Sequence, residues 1–227
     1  MSDIHAPEIY TILNSQDNPA EGNFTDKKSE FIGIAIHAET AEHAEEFIRR
    51  IREEHPKARH VAWASIRGSL SDRSERMSDD GEPGGTAGKP ILEALKQNDM
   101  TDCAIAVVRY FGGILLGAGG LVRAYSAAAC AALGQAKKAA ILRCERTQCS
   151  IEYPRHDMYV RIVKECSGTV YKEDFAQNVT VIADIPSSNF GEFSKRITEA
   201  FRAQTEIKSV GQVSVPVPVS ASEDYSE

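Results

Sequence analysis

Two glycine-rich segments carry the residue types that could do chemistry. The first is Asp79-Asp80-Gly81-Glu82-Pro83-Gly84-Gly85-Thr86-Ala87-Gly88-Lys89-Pro90, and the second runs from Arg109-Tyr110-Phe111-Gly112-Gly113 to Gly117-Ala118-Gly119-Gly120-Leu121-Val122-Arg123. Gly88-Lys89 has the ending of a P-loop, but the glycine required earlier is Pro83 and the Ser or Thr required after the lysine is Pro90. Gly117-Ala118-Gly119 opens a G-x-G-x-x-G pattern whose third glycine position is Val122, and no parallel β-α-β unit surrounds it. What remains is a cluster of glycines ahead of a helix N-terminus, where free N–H groups and the helix dipole favour an anion. Arg109 before the cluster and Arg123 after it could add bidentate phosphate contacts. The same glycines equally suit tight turns and close packing, with both arginines in surface ion pairs. Gly119 is expected in a turn with φ above zero, so Gly119→Val should cost about 1 to 3 kcal/mol. In the acidic loop, Asp79, Asp80 and Glu82 could hold Mg²⁺ together with a phosphate, or cap turns and pair with arginines.

Other reactive side chains give weaker signals. His60, between Arg59 and Trp63, could act as a base or bind phosphate, or simply pack at a strand edge. Ser65, Ser78, Ser126 and Cys130 have no local partner that would make a nucleophile, and G-x-S-x-G is absent. His5, His37, His43, His55 and His156 lack metal-ligand spacing and read as surface residues. No catalytic residue, metal or cofactor is expected. Of the five cysteines none forms C-x-x-C; Cys103 and Cys130 sit in apolar contexts typical of buried thiols, and all five read as reduced.

The chain has 227 residues, enough for one or two domains with a real core. A net charge of -7 gives no global attraction to nucleic acid, so any such binding needs a local basic patch and should be weak and salt-sensitive. No apolar run approaches a membrane span, and neither a secretory nor an Arg-rich targeting segment is read near the start, so the expected location is the cytoplasm.

The elements that must position these loops follow from apolar periodicity. Strands are expected at Glu8–Leu13, Phe31–Ile36, Val61–Ile66 and Cys103–Val108, making a four-stranded sheet. Thr40 caps a helix with the face Ala41, Ala44, Phe47, Ile48 and Ile51. Residues 68–90 read as one long loop, Pro90 starts a short helix, and an alanine-rich helix runs from about Leu121 to Lys138. After a boundary near residue 138 come a strand over Ile141–Tyr153, a helix on Met158–Val163, strands Thr169–Phe175 and Val179–Ile185, a helix with an Asn189/Glu192 capping box, and a strand over Glu206–Val215. That β-α-β-β-α-β order is the ferredoxin-like unit. Pro216–Glu227 is expected to be a flexible tail. The fold class is α+β in two domains, 1–138 and 139–215.

The motifs together carry a family resemblance. His60-Val61-Ala62-Trp63-Ala64, the whole acidic glycine loop, Val107-Val108-Arg109-Tyr110-Phe111-Gly112-Gly113 and Leu116-Gly117-Ala118-Gly119-Gly120-Leu121-Val122-Arg123-Ala124-Tyr125 closely resemble the IMPACT / YigZ family. The resemblance implies a first domain like the second domain of ribosomal protein S5 and a second like the RNA-associated ferredoxin-like domain of translation elongation factor G. It implies a non-catalytic translation-associated protein that binds RNA, the ribosome or a translation factor. The family's motif positions fall here on Arg59, His60, Asp80, Gly81, Glu82, Gly84, Thr86, Gly88, Lys89, Arg109, Tyr110, Gly112, Gly113, Gly117, Gly119, Gly120 and Arg123 as a binding surface. One departure weakens the RNA implication: Asp72, Arg73, Glu75 and Arg76 leave the loop after Gly68 balanced in charge. The alternative is an enzyme on a phosphate-containing small molecule, by fold-level analogy with a kinase superfamily. Oligomeric state is not legible.

Overall fold

The strand Cys103–Tyr110 is apolar at nearly every position because both of its faces are covered. The computed structural model describes residues 9–68, 73–202 and 205–219; His5, Glu8, Asp72 and the end of the expected tail, 220–227, lie outside them. The elements are β1 (Tyr10–Ile12), β2 (Ala20–Asp26), β3 (Ser29–His37), α1 (Ala41–Glu54), β4 (His60–Arg67), β5 (Ser74–Ser78), α2 (Gly88–Gln97), β6 (Cys103–Tyr110), α3 (Ala118–Gln135), β7 (Lys138–Ile151), α4 (His156–Glu165), β8 (Thr169–Phe175), β9 (Val179–Pro186), α5 (Phe190–Ala200) and β10 (Lys208–Pro218). The chain separates into two units: one ending at Ala140 and regaining the chain from Pro218, the other Ile141–Val217.

In the first unit the antiparallel sheet runs β2-β3-β6-β4-β5. Alternation splits its side chains between two cores. Phe31, Ile105 and Val107 meet the α2 and α3 side chains Ile91, Leu95 and Tyr125. Ile34, Ile36, Ala106 and Val108 meet Phe47, Ile48 and Ile51 of α1 on the other face. Thr40 does cap α1, its hydroxyl accepting the His43 N–H at 3.1 Å.

Several sequence expectations change. The first strand is not part of this sheet: Tyr10–Ile12 pair instead with Lys138–Ala140 at the start of β7. Between the first two expected strands lies a further one, β2, whose small inward residues Ala20 and Gly22 give little apolar signal. The long loop contains β5, an edge strand none of whose residues is buried, so no alternation marks it. Cys130 is exposed, whereas the other four cysteines are buried; all five are free, and burial pushes the Cys103 thiol up to about 12. His37 is not a bare surface residue, since its Nδ1 lies 2.9 Å from the Thr11 hydroxyl.

In the second unit the strand order is β10-β7-β9-β8, with α4 and α5 supplying Tyr159, Ile162, Phe193 and Ile197 to the core. The capping box does not form: the Asn189 side chain donates to the Cys166 carbonyl at 3.1 Å and makes no cap bond. β10 continues through Pro216 to Pro218, beyond the expected tail boundary, because it pairs only with β7 and an edge strand tolerates proline where no N–H is required. No helix among the described residues is long and apolar enough to cross a membrane.

Candidate functional site

Arg109 is the last inward-facing residue of β6, in register with Phe31 on β3 and His60 on β4. That position puts a guanidinium at the edge of an apolar core, 7% exposed, with its Cζ 5.6 Å from the Phe31 ring and 5.4 Å from Phe111. A charge so placed needs a counter-charge. Glu82 supplies it: one carboxylate oxygen accepts Arg109 Nη1 at 2.6 Å and the Tyr125 hydroxyl, from α3, at 2.8 Å. Burial, and then the charge of Glu82, pushes the Tyr125 hydroxyl far up, so it stays a donor. His60 Nε2 lies 4.0 Å from the same oxygen. Its Nδ1 is 2.7 Å from the carbonyl of Asp80, which can only accept, so Nδ1 carries the proton.

The two aspartates organise the loop that brings Glu82 in. Asp80 takes a positive φ of 48°, and its carboxylate accepts the Val61 N–H at 2.7 Å and Arg52 Nη2 at 2.5 Å. The Asp79 carboxylate accepts the N–H groups of Gly85, Ala87 and Gly88 at 2.8, 3.0 and 2.8 Å, and so caps α2, whose own N-cap residue, Ala87, has no capping side chain. Burial opposes its ionisation, but the three amides outweigh it and hold the carboxyl below the usual range. Gly88 must be glycine for space, since a Cβ there would lie 2.8 Å from the Ser78 carbonyl.

Asp79→Asn should therefore cost about 2 kcal/mol at pH 7, trimmed from a charge-assisted value because the group is half-buried. The folded pKa is depressed, so this stability is complete above the unfolded value near ~4 and disappears as pH falls through the folded one. Urea titrations of both proteins should differ most at neutral pH and converge in acid. A difference that persists unchanged at the lowest pH would show that the charge is not what matters.

The structure thus gathers His60, Asp80, Glu82 and Arg109 into one cluster in which Glu82 and Arg109 are buried and His60 and Asp80 half-buried. Arg109 cannot make the phosphate contact expected of it, because Glu82 and burial take up its guanidinium. The acidic residues are likewise engaged by N–H groups, Arg52 and Arg109 rather than arranged around a cation, and among the described residues no three His, Cys, Asp or Glu are grouped to hold a metal. Tyr110 faces the opposite side of the sheet, its hydroxyl 2.9 Å from His55 Nδ1. Thr86 closes a turn on the Pro83 carbonyl at 2.7 Å. Gly81 holds a φ of +83° beside the His60 ring, and Gly84 has open space around it. Arg59, Lys89 and Arg123 are exposed.

The link from β6 to α3 rests on glycines for distinct reasons. A Cβ at Gly112 would lie 2.1 Å from the Lys28 backbone, and Gly113 has a φ of +84°. Gly117, the N-cap of α3, has φ 75° and ψ 168°, a region almost closed to other residues. Gly119 and Gly120 already belong to the helix, which starts at Ala118 rather than Leu121. The strain expected at Gly119 thus belongs to Gly117. Gly117→Ala should lower stability by about 1 to 3 kcal/mol, whereas Gly119→Ala, meeting only Arg123 Nη1 at 3.7 Å, should raise it by up to about 1 kcal/mol. Melting curves of the two variants that shift in the same direction would refute this assignment.

Tyr125 and Arg52 were missed as members of the site, whereas Asp79, which sequence offered as a cation ligand or a turn cap, is a cap. Tyr125 had a legible signal, a hydroxyl within the apolar stripe Leu121, Ala124 and Ala128, which must find a buried partner. Arg52 had none, as it lies on the polar face of α1.

The pattern agrees with what this chain is similar to. The model of the Impact N-terminal domain matches residues 27–133, and that of a domain of unknown function (DUF1949) matches residues 149–204. An IMPACT family member of Haemophilus influenzae is 38% identical over 176 residues, covering 76% of this chain and 84% of the relative. The IMPACT family member YigZ of Escherichia coli is 35% identical over 187 residues, covering 81% and 91%. A crystal structure described as that of a hypothetical protein is 31% identical, covers 89% of this chain and 97% of its own, and superposes with a TM-score of 0.59. With relatives this similar across most of both lengths, the chain belongs to the IMPACT family.

Proposed function

We propose that the protein is a non-catalytic binding protein of the translation apparatus in the cytoplasm, meeting RNA, the ribosome or a translation factor through the surface around the β6–α3 link. The observation that carries this reading is where the reactive groups of the motifs go. Asp79, Asp80, Glu82, His60 and Arg109 are used in holding the acidic loop to the sheet, which favours a scaffold over a reaction centre. Arg59, Lys89 and Arg123 remain exposed, and the first turn of α3 carries neither an acidic residue nor a side-chain cap. We read the first unit as ribosomal protein S5 domain 2-like and the second as ferredoxin-like, the latter supported by its β10-β7-β9-β8 order with two intervening helices.

The test is co-sedimentation of the purified chain with ribosomes over a salt series, beside a Lys89→Glu/Arg123→Glu variant. Reversing Arg109 would be uninformative, because it strikes the buried pair. Salt-sensitive co-sedimentation that the variant loses is expected; none at about 50 mM salt, where phosphate contacts are strongest, would reject association with ribosomes.

A further inference from the structure

With Arg109 and the carboxylates withdrawn, what the β6–α3 link shows to solvent is mostly hydrocarbon. Phe111, Ile114 and Leu115 are 41, 45 and 81% exposed within one short link, and Val122, a turn into α3, is 39% exposed. The link is not a loose strand of chain: Gly112 packs against the Lys28 backbone, the Leu115 carbonyl accepts Lys27 Nζ at 3.3 Å, and Gly113 and Gly117 fix its bends with positive φ. Val122 also lines a cleft of about 380 Å³ between α2 and α3, together with Lys89, Pro90 and Ser126. Exposed large apolar side chains held in a fixed loop mark an interaction surface.

Two cations beside this surface, Lys89 and Arg123, are unspent. Among the described residues neither Lys89 nor Arg123 has an acidic partner, and Glu93, the acid in the cleft, is instead 3.8 Å from Lys96. An apolar centre with a charged rim is the anatomy of a protein interface. Nucleic acid fits less well. Three of the four exposed apolar side chains are aliphatic and offer no stacking face, and the ring of Phe111 already has a guanidinium 5.4 Å from it.

Resting on the binding role proposed above, we infer that Phe111, Ile114, Leu115 and Val122, with the cations Lys89 and Arg123, dock a segment of a partner protein that carries apolar side chains next to carboxylates. The apolar side chains of that segment cover the link and Val122, and its carboxylates meet the two cations, which selects against basic segments of equal hydrophobicity.

The test places photoreactive benzoylphenylalanine at position 115 of the full chain in its host cells, followed by irradiation and mass spectrometry of the adducts. Crosslinked peptides with Asp or Glu beside Leu, Ile, Val or Phe are expected. A synthetic peptide of the crosslinked segment should bind the purified chain at least tenfold more weakly after Arg123→Glu, a variant whose melting temperature should be unchanged because the residue is exposed. Nucleotide adducts, segments lacking carboxylates, or an affinity indifferent to Arg123→Glu would each overturn the inference, as would the absence of any adduct. Ribosome co-sedimentation that persists alongside a failed crosslink leaves the translation role standing and removes only the protein segment; loss of both removes both.

Discussion

Arg109→Ala is expected to destabilise the first unit by about 3 to 5 kcal/mol, the range for breaking a buried ion pair from one side. The loss comes less from the attraction itself than from what is left behind. Glu82 is nearly fully buried and would keep only the Tyr125 hydroxyl as a partner within hydrogen-bond distance. Water or a proton would have to enter an apolar region to relieve it. Removing the polar groups together should be milder: Arg109→Leu/Glu82→Leu/Tyr125→Phe leaves no stranded charge and should recover at least about 2 kcal/mol of the loss. Trp63, the single tryptophan, sits on β4 in the same sheet and reports urea unfolding of this unit. If the triple variant is as unstable as Arg109→Ala, packing of the arginine stem rather than its charge dominates.

Gly33→Ala should cost about 3 kcal/mol or more, an unusual penalty for one methyl group. Gly33 pairs directly with Gly22 across β2 and β3, and both lie beneath α3. A Cβ at Gly33 would stand 2.2 Å from the Ala128 carbonyl oxygen, and one at Gly22 would stand 2.3 Å from the Ala131 backbone. These are backbone atoms, so no rotamer change relieves the clash and the helix must move away from the sheet, opening the contacts of Ala128 and Ala132 as well. Gly134→Ala, on the same helix with open space around it, is the control and should be neutral or slightly stabilising. In thermal melts Gly33→Ala should lose on the order of 10 °C for a domain of this size, and a loss of only a degree or two would mean that α3 shifts freely.

Sequence and structure agree where periodicity is strong and part where the signal is chemical. The apolar run of β6, the amphipathic face of α1 with its Thr40 cap, and the succession of elements after residue 138 are all legible, because burial on a fixed period leaves its mark on composition. β2 and β5 are not: one faces α3 with Ala and Gly, the other is an exposed edge, and neither leaves an apolar rhythm. At the site, the motifs drew attention to the right residues but left two roles open, and only the fold decides between them. His60, Glu82, Arg109 and Tyr125 are 16 to 65 positions apart along the chain in ways no spacing rule connects, and they meet because β4 and β6 are neighbours and α3 crosses the same face. Gly22 and Gly33 look like ordinary strand breakers until the alanines of α3 are placed on them.

The pairing of β1 with Lys138–Ala140 carries a consequence for how the protein is made. The first unit is closed by residues from its two ends, and its central β3–β6 pairing also joins segments far apart in the chain. Long-range closure of this kind forms slowly and only once both partners are free to meet. During synthesis β1 therefore waits as an unpaired segment, and the glycine seats at Gly22 and Gly33 stay uncovered, until α3 and then Ala140 have left the ribosome tunnel. The small second unit follows immediately behind, so completion of the first core coincides with emergence of the chain that begins the next.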